Sequence, residues 1–320
     1  MPTRAKRLAT PLPTSTFMSD MMFGLREHPK RVSPKYFYDD AGSELFDRIC
    51  ELDEYYLTRT ELAIMKEHAV HIGERVGSGL RIVELGSGSG NKTRALLDKL
   101  TLPLEYLPVD VSPTPLEDSA ESLRRTHPAL KITPVSGDFT KPFVLPRIGA
   151  AVRGTLVYFP GSTIGNLTPS EAVELLQNLC RACGPCWLVI GVDLKKDPAR
   201  LHAAYNDAKG VTAAFNKNLL VRANRELGAD FDVEKFAHYA FYSPLHGRIE
   251  MHLVSLADQT VRIARQAFEF EHGESILTEL SHKYSLVDME RLASSGGFHV
   301  VDWFADPAKD FAVGLLRHTG

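Results

Sequence analysis

The chain has 320 residues, 44% of them hydrophobic and 24% charged, with a net charge of −3, so it can bury a full core and exceeds one average domain. No basic run is long enough to suit a nucleic acid or an anionic membrane, which favours small neutral or zwitterionic ligands over polyanions. No apolar stretch approaches a membrane span, and residues 1–19 carry no apolar signal core; they read as a flexible arm on a cytoplasmic protein.

Residues 20–59 are dense in aromatic and acidic side chains, from Tyr36-Phe37-Tyr38-Asp39 through Phe46 to Glu54-Tyr55-Tyr56. These are core-fillers by default, but phenols beside carboxylates also suit a polar pocket. Thr58 and Glu61 have capping-box spacing ahead of a helix with apolar Leu62, Met65, Ala69, Ile72 and Val76. An α/β alternation follows. Strands are predicted near 80–85, 104–109, 131–135, 154–159 and 187–194, and helices near 92–100, 114–125 and 169–181. The last helix opens with Thr168-Pro169-Ser170-Glu171, a cap followed by proline and an acid. Such alternation predicts a mostly parallel, Rossmann-like sheet whose ligand sits beyond the carboxyl ends of its strands.

The first of those strand ends organises the rest. Ile82-Val83-Glu84-Leu85 runs into Gly86-Ser87-Gly88-Ser89-Gly90 and then a helix that carries Lys92. Glycines allow close backbone approach, and a helix N-terminus offers free N–H groups. A dinucleotide turn needs a small residue where Asn91 stands, and a Walker A loop needs glycine there. The E-x-G-x-G-x-G spacing resembles the first motif of S-adenosylmethionine-dependent methyltransferases. Asp110 ends the next strand about 20 residues on, where such folds bind ribose hydroxyls. Asp138 and Phe139 follow the third strand and suit an adenine. Gly161-Ser162-Thr163-Ile164-Gly165-Asn166 follows the fourth, and Asn166 is a candidate polar contact to substrate.

After 194 the regular pattern stops. Helices are predicted within 197–227, strand-like runs near 236–244, 247–255 and 259–269, and a helix near 286–295 before two closing strands. An insertion of about 90 residues thus precedes the closing elements. The expected organisation is a methyltransferase domain (60–196 and 286–320) with a substrate-binding α+β lid domain (20–59 and 197–285). Cys180, Cys183 and Cys186 have a spacing similar to iron–sulfur ligands. No fourth ligand follows, so they read as small apolar residues at a helix–strand junction. No histidine pair has metal-ligand spacing, so no metal is predicted.

Taken together, the motifs resemble the L-histidine Nα-methyltransferases of ergothioneine biosynthesis over residues 20–315. The stretches that carry the resemblance include Tyr36–Asp39, Gly42-Ser43-Glu44-Leu45-Phe46-Asp47, Glu84–Gly88, Gly161–Leu167, Arg248-Ile249-Glu250-Met251 and Thr278-Glu279-Leu280-Ser281. The resemblance implies a class I S-adenosylmethionine-dependent methyltransferase that trimethylates the α-amine of L-histidine to hercynine, releasing S-adenosylhomocysteine. It implies a small-molecule partner, no nucleic acid or membrane, and a monomer. Tyr38, Gly86, Gly88, Lys92, Asp110, Asp138 and Phe139 match cofactor positions. Tyr56, Asn166 and Tyr205 match positions that hold the amino acid's amine and carboxylate, with Tyr38, Tyr56 and Asn166 as the catalytic set. Met251, Glu279 and Ser281 match the imidazole pocket, and Phe46 packs on the ring. Two residues apart on a strand, Glu279 and Ser281 share a face and can partner both ring nitrogens. A tryptophan substrate is the nearest alternative, but an indole has one donor and no ring acceptor.

Overall fold

The computed structural model describes residues 14–87, 91–110, 113–149 and 151–320. These form two compact units, one of Leu57–Lys195 with Lys283–Gly320, the other of residues 14–56 with Lys196–His282.

The first unit is built on a sheet whose central strands are buried on both faces. Leu80–Leu85 is buried at all six positions, as a strand between two helical layers must be. It lies parallel to Glu105–Asp110 on one side and Gly154–Phe159 on the other, and Cys186–Asp193 continues the parallel order. Phe311–His318 then runs antiparallel to Cys186–Asp193 and to the edge strand His299–Ala305. This is the α/β, doubly wound sheet expected of a class I methyltransferase, closed by the antiparallel pair that the tail of the sequence predicts. Helix Pro169–Cys183 and the closing helix Leu286–Ser295 bury Leu175, Leu176, Leu179, Met289 and Ala293 in one core with Val157, Leu188 and Ile190. Thr168 caps its helix as expected: its Oγ1 accepts from Glu171 N–H, and Glu171 accepts from Thr168 N–H at 2.8 Å.

Arg81, 2% exposed, is the largest fully buried side chain. Its guanidinium donates to Glu105 Oε2 at 2.6 and 2.8 Å and to the carbonyls of Pro146 and Arg147. A buried charge so fully partnered is tolerable where an unpaired one is not.

The second unit has a four-stranded sheet ordered Lys30–Arg31, Ser275–His282, Arg248–Ser255, Phe236–Ser243, with helices including Asp40–Cys50, Pro198–Tyr205 and Val211–Leu227. Edge strand Phe236–Ser243 is covered by the helix and turn at 198–206. Tyr242 N–H donates to His202 Nε2, and Asn206 Nδ2 donates to Ala240 O. This blunts an edge that would otherwise invite pairing.

Four elements depart from the sequence reading. Helix Thr14–Gly24 begins inside residues 1–19, read as a flexible arm, and its Phe17, 2% exposed, stacks on Tyr36. The run 259–269 is a hairpin of Gln259–Ile263 and Gln266–Phe270, turning through Ala264 at φ 53° without glycine or asparagine to signal it. The strand predicted at 131–135 is two short pieces, Lys131–Ile132 and Val135–Ser136, both paired with Glu105–Asp110. Helix Leu57–Val76 begins before Thr58, and Glu61 is not a capping acid. It is 1% exposed and turned into the unit, as described below. Among the described residues no helix is long and apolar enough to cross a membrane.

Candidate active site

In the first unit the predicted cofactor residues converge on neighbouring strand ends. Gly86, at φ 71°, leaves strand Leu80–Leu85 and donates its N–H to Val109 O, beside Asp110. The positive φ is one that glycine adopts without strain. Gly137 N–H donates to Asp110 O, which brings the Asp138-Phe139 turn alongside. The Phe139 ring lies 3.8 Å from where a Gly86 Cβ would stand, and packs edge-on to Phe159. Gly88 lies outside the described residues. Asn166 ends a short 3-10 turn, Thr163–Asn166, introduced by Gly161 and Ser162 in left-handed conformations. Ser162 Oγ accepts from Asp193 N–H, fixing that turn to the next strand.

The turn's electrostatics centre on two buried glutamates. Glu84 Oε2 accepts from Thr93 Oγ1 and Tyr106 Oη, both at 2.6 Å. Burial pushes its carboxyl up to about 7, against the opposing pull of those donors and Lys92. A raised carboxyl pKa stabilises the fold at low pH, and this contribution is lost as pH rises from the ordinary value of 4.5 to about 7. We therefore expect wild-type stability relative to Glu84→Gln to fall by about 3 kcal/mol between about pH 4 and pH 8, read from urea midpoints. Ser87 Oγ, next along the turn, is buried with no hydrogen-bond partner among the described residues. An orphaned hydroxyl, the glycine at 86 with its positive φ and an acid at the next strand end fit a nucleoside-bearing cofactor.

Glu61 is the residue that the sequence reading missed. Its carboxylate pairs with Lys92 Nζ at 2.6 Å and accepts from Gly161 N–H at 3.0 Å. A signal was present: Leu57, Glu61, Met65 and Ala69 form one i, i+4 stripe, and an acid on a buried stripe needs a partner.

The second unit gathers Tyr38, Phe46, Tyr205, Met251, Glu279 and Ser281. Asp39 caps helix Asp40–Cys50 and accepts from Asn218 and Arg225, anchoring the backbone beside Tyr38. Burial alone would raise the Asp39 carboxyl, but hydrogen bonds from Arg225, Gly42 and Asn218, with the Arg225 charge, hold it below the usual carboxylate range. The Tyr38 ring meets Phe46 and Phe215 edge-on at 5.6 Å, and Phe46 meets Tyr55. Tyr55, another residue not singled out, has its phenol pushed well above its ordinary range by burial, with Cys50, Tyr205, Tyr38 and Glu279 adding to the effect. It therefore sits amid the predicted substrate residues as a neutral hydroxyl.

Tyr205 Oη and Ser281 Oγ share a hydrogen bond of 2.7 Å. Glu279 pairs with Met251 and Ser281 with Ile249 across the sheet, so both project to the face that buries Met251. A bulge at Thr278 makes this possible: Leu277 still pairs with His252 on the opposite face, and the extra residue re-aims Glu279. Thr278 Oγ1 donates to Asn216 Oδ1 and Met251 O, pinning the bulge. Tyr56 is 1% exposed; its hydroxyl accepts from Lys196 Nζ at 2.7 Å, and the Lys196 and Arg200 cations lie over its ring.

The three clustered cysteines are free thiols at the junction of helix Pro169–Cys183 and strand Cys186–Asp193. Cys186 is buried in the core, and Cys180 Sγ donates to Gly296 O. Among the described residues no group of three or more His, Cys, Asp or Glu could hold a metal ion.

Comparison with known proteins shows the family to which the chain is related. The chain is 41% identical to the histidine N-alpha-methyltransferase of Mycolicibacterium smegmatis, over 97% of this chain and 98% of that protein. It is 40% identical to the enzyme of the same name from Mycobacterium tuberculosis, covering 92% and 93% of the two chains. Ergothioneine biosynthesis protein 1 of Neurospora crassa is 29% identical over 93% of this chain, which spans 34% of that longer protein. The family profile described as histidine-specific methyltransferase, SAM-dependent, matches residues 17–318. The chain therefore belongs to the S-adenosylmethionine-dependent, histidine-specific methyltransferase family.

Proposed function

We propose that this protein methylates the α-amine of L-histidine, three times in succession, to give N,N,N-trimethylhistidine (hercynine) for ergothioneine biosynthesis. The observation that carries the substrate assignment is the pairing of Glu279 and Ser281 on one sheet face beside Met251, with Ser281 hydrogen-bonded to Tyr205. A carboxylate accepts from one imidazole N–H, and a hydroxyl that both donates and accepts serves the other nitrogen. The Met251 side chain offers the apolar, polarisable wall that a flat ring packs on.

S-adenosylmethionine supplies an electrophilic methyl group when bound. Gly86, Lys92, Asp110, Asp138 and Phe139 are assigned to hold it, together with Tyr38. The protein's own work is to present a neutral amine in line and to keep it there. Tyr56, Tyr205 and Asn166 are assigned to the amine and carboxylate. All three are uncharged, so they orient the amine by hydrogen bonds without stabilising its ammonium form as a carboxylate would. Lys196, held on Tyr56, sets that hydroxyl's direction and adds positive charge where a substrate carboxylate is to be bound. A cytoplasmic, monomeric enzyme is part of this proposal.

The test is incubation of purified protein with S-adenosylmethionine and an equimolar pool of the twenty amino acids, followed by mass spectrometry. Gains of one, two and three methyl groups on histidine alone are expected. Methylated tryptophan in their place would overturn the imidazole pocket while leaving the family intact.

A further inference from the structure

Two glycines make room for one ion pair in the first unit, Gly191 for its acid and Gly161 for its lysine. A Cβ at Gly191 would collide with Glu61 Oε1, and one at Gly161 would stand 3.2 Å from Lys92 Nζ. Around this space Glu61 holds Lys92 with one oxygen and receives the Gly161 N–H on both. The buried Tyr158 phenol lies close enough for the Glu61 charge to raise it further, after burial itself. A carboxylate at 1% exposure is a costly filler compared with an apolar side chain of its size.

We propose that Glu61 is a positioning residue for the methyl-transfer site. It sets the Lys92 ammonium at the start of helix Asn91–Leu97, and through Gly161 it sets the turn that ends in Asn166. One carboxylate thus fixes a cofactor residue and a substrate residue together. The inference rests on the assignment of Lys92 to S-adenosylmethionine.

The two links separate by substitution. Glu61→Gln retains an oxygen for Gly161 N–H but loses the charge that holds Lys92; Glu61→Ala loses both. S-adenosylmethionine binding is measured by calorimetry on wild type, Glu61→Gln, Lys92→Met and the double variant, with kcat measured at saturating cofactor. Glu61→Gln is expected to weaken binding about 10-fold with kcat within about threefold of wild type. The double variant should bind no worse than Lys92→Met alone, because the acid acts through the lysine. Glu61→Ala should lower kcat about 10-fold further as the Gly161 turn loses its acceptor.

Wild-type binding by Glu61→Gln, or losses that multiply in the double variant, would overturn the route through Lys92. Equal kcat for the Gln and Ala variants would overturn the link to the Asn166 turn. Undiminished binding by Lys92→Met would overturn the cofactor assignment and the proposal with it. Wild-type protein that binds S-adenosylmethionine yet leaves histidine unmethylated would fail the functional reading alone.

Discussion

Glu279→Ala is expected to lower kcat/KM for histidine by about 100-fold or more while S-adenosylmethionine affinity stays within about twofold of wild type. The large figure follows from burial. Glu279 lies on the face with Met251 and Ser281, both nearly inaccessible, so an imidazole N–H left without an acceptor there finds little water to replace it. A site built to hydrogen-bond a ring N–H loses far more on removal of the partner than an apolar pocket loses on removal of a methyl. Paired kinetics and cofactor calorimetry check the result. Equal losses on both sides would assign Glu279 to the fold and not to the substrate.

The second large effect concerns stability. Lys283 Nζ and Asp193 Oδ2 form an ion pair of 2.7 Å with both side chains at 0% exposure. Lys283→Met would leave a carboxylate buried without its counter-charge, at an expected cost of about 3–5 kcal/mol. For a unit of this size that is a fall in melting temperature of about 10 °C, followed by circular dichroism. Adding Asp193→Asn to Lys283→Met should recover most of the loss, since replacing both charges removes the uncompensated one. A double variant as unstable as Lys283→Met would mean that the lysine's packing, not its charge, carries the effect. Asp193 N–H also donates to Ser162, so the same strand end ties stability to the turn that presents Asn166.

The sheet was legible because its strands and helices alternate with clear periodicity, and the positions proposed for the cofactor follow from where strands end. The pairing of Glu279 with Ser281 was legible from a period of two, yet the bulge at Thr278 was not, since an extra residue leaves no mark in the alternation. Glu61 was misread for a related reason. Thr58 and Glu61 have the spacing of a capping box, whereas the partner that fixes the acid is Gly161 N–H, separated from it by 100 residues. Local pattern cannot reach such a contact. Tyr55 and Phe215 form walls of the Tyr38–Phe46 cluster, a role that depends on which rings meet, and composition does not encode that. Lys196 and Arg200 are ordinary surface cations in sequence, and only the fold lays them on Tyr56.

The point where the insertion leaves the sheet has an evolutionary consequence. Leu194 and Tyr284 pair in parallel, Tyr284 N–H donates to Asp193 O, and Lys195 N–H donates to Tyr284 O. Residues 196–282 therefore depart and return through a single hydrogen-bonded gate that the first unit closes by itself. A loop whose ends are already fastened can change length and content at little entropic cost to its host. The sheet of the first unit can thus keep its register while residues 196–282 vary in length and content between related chains.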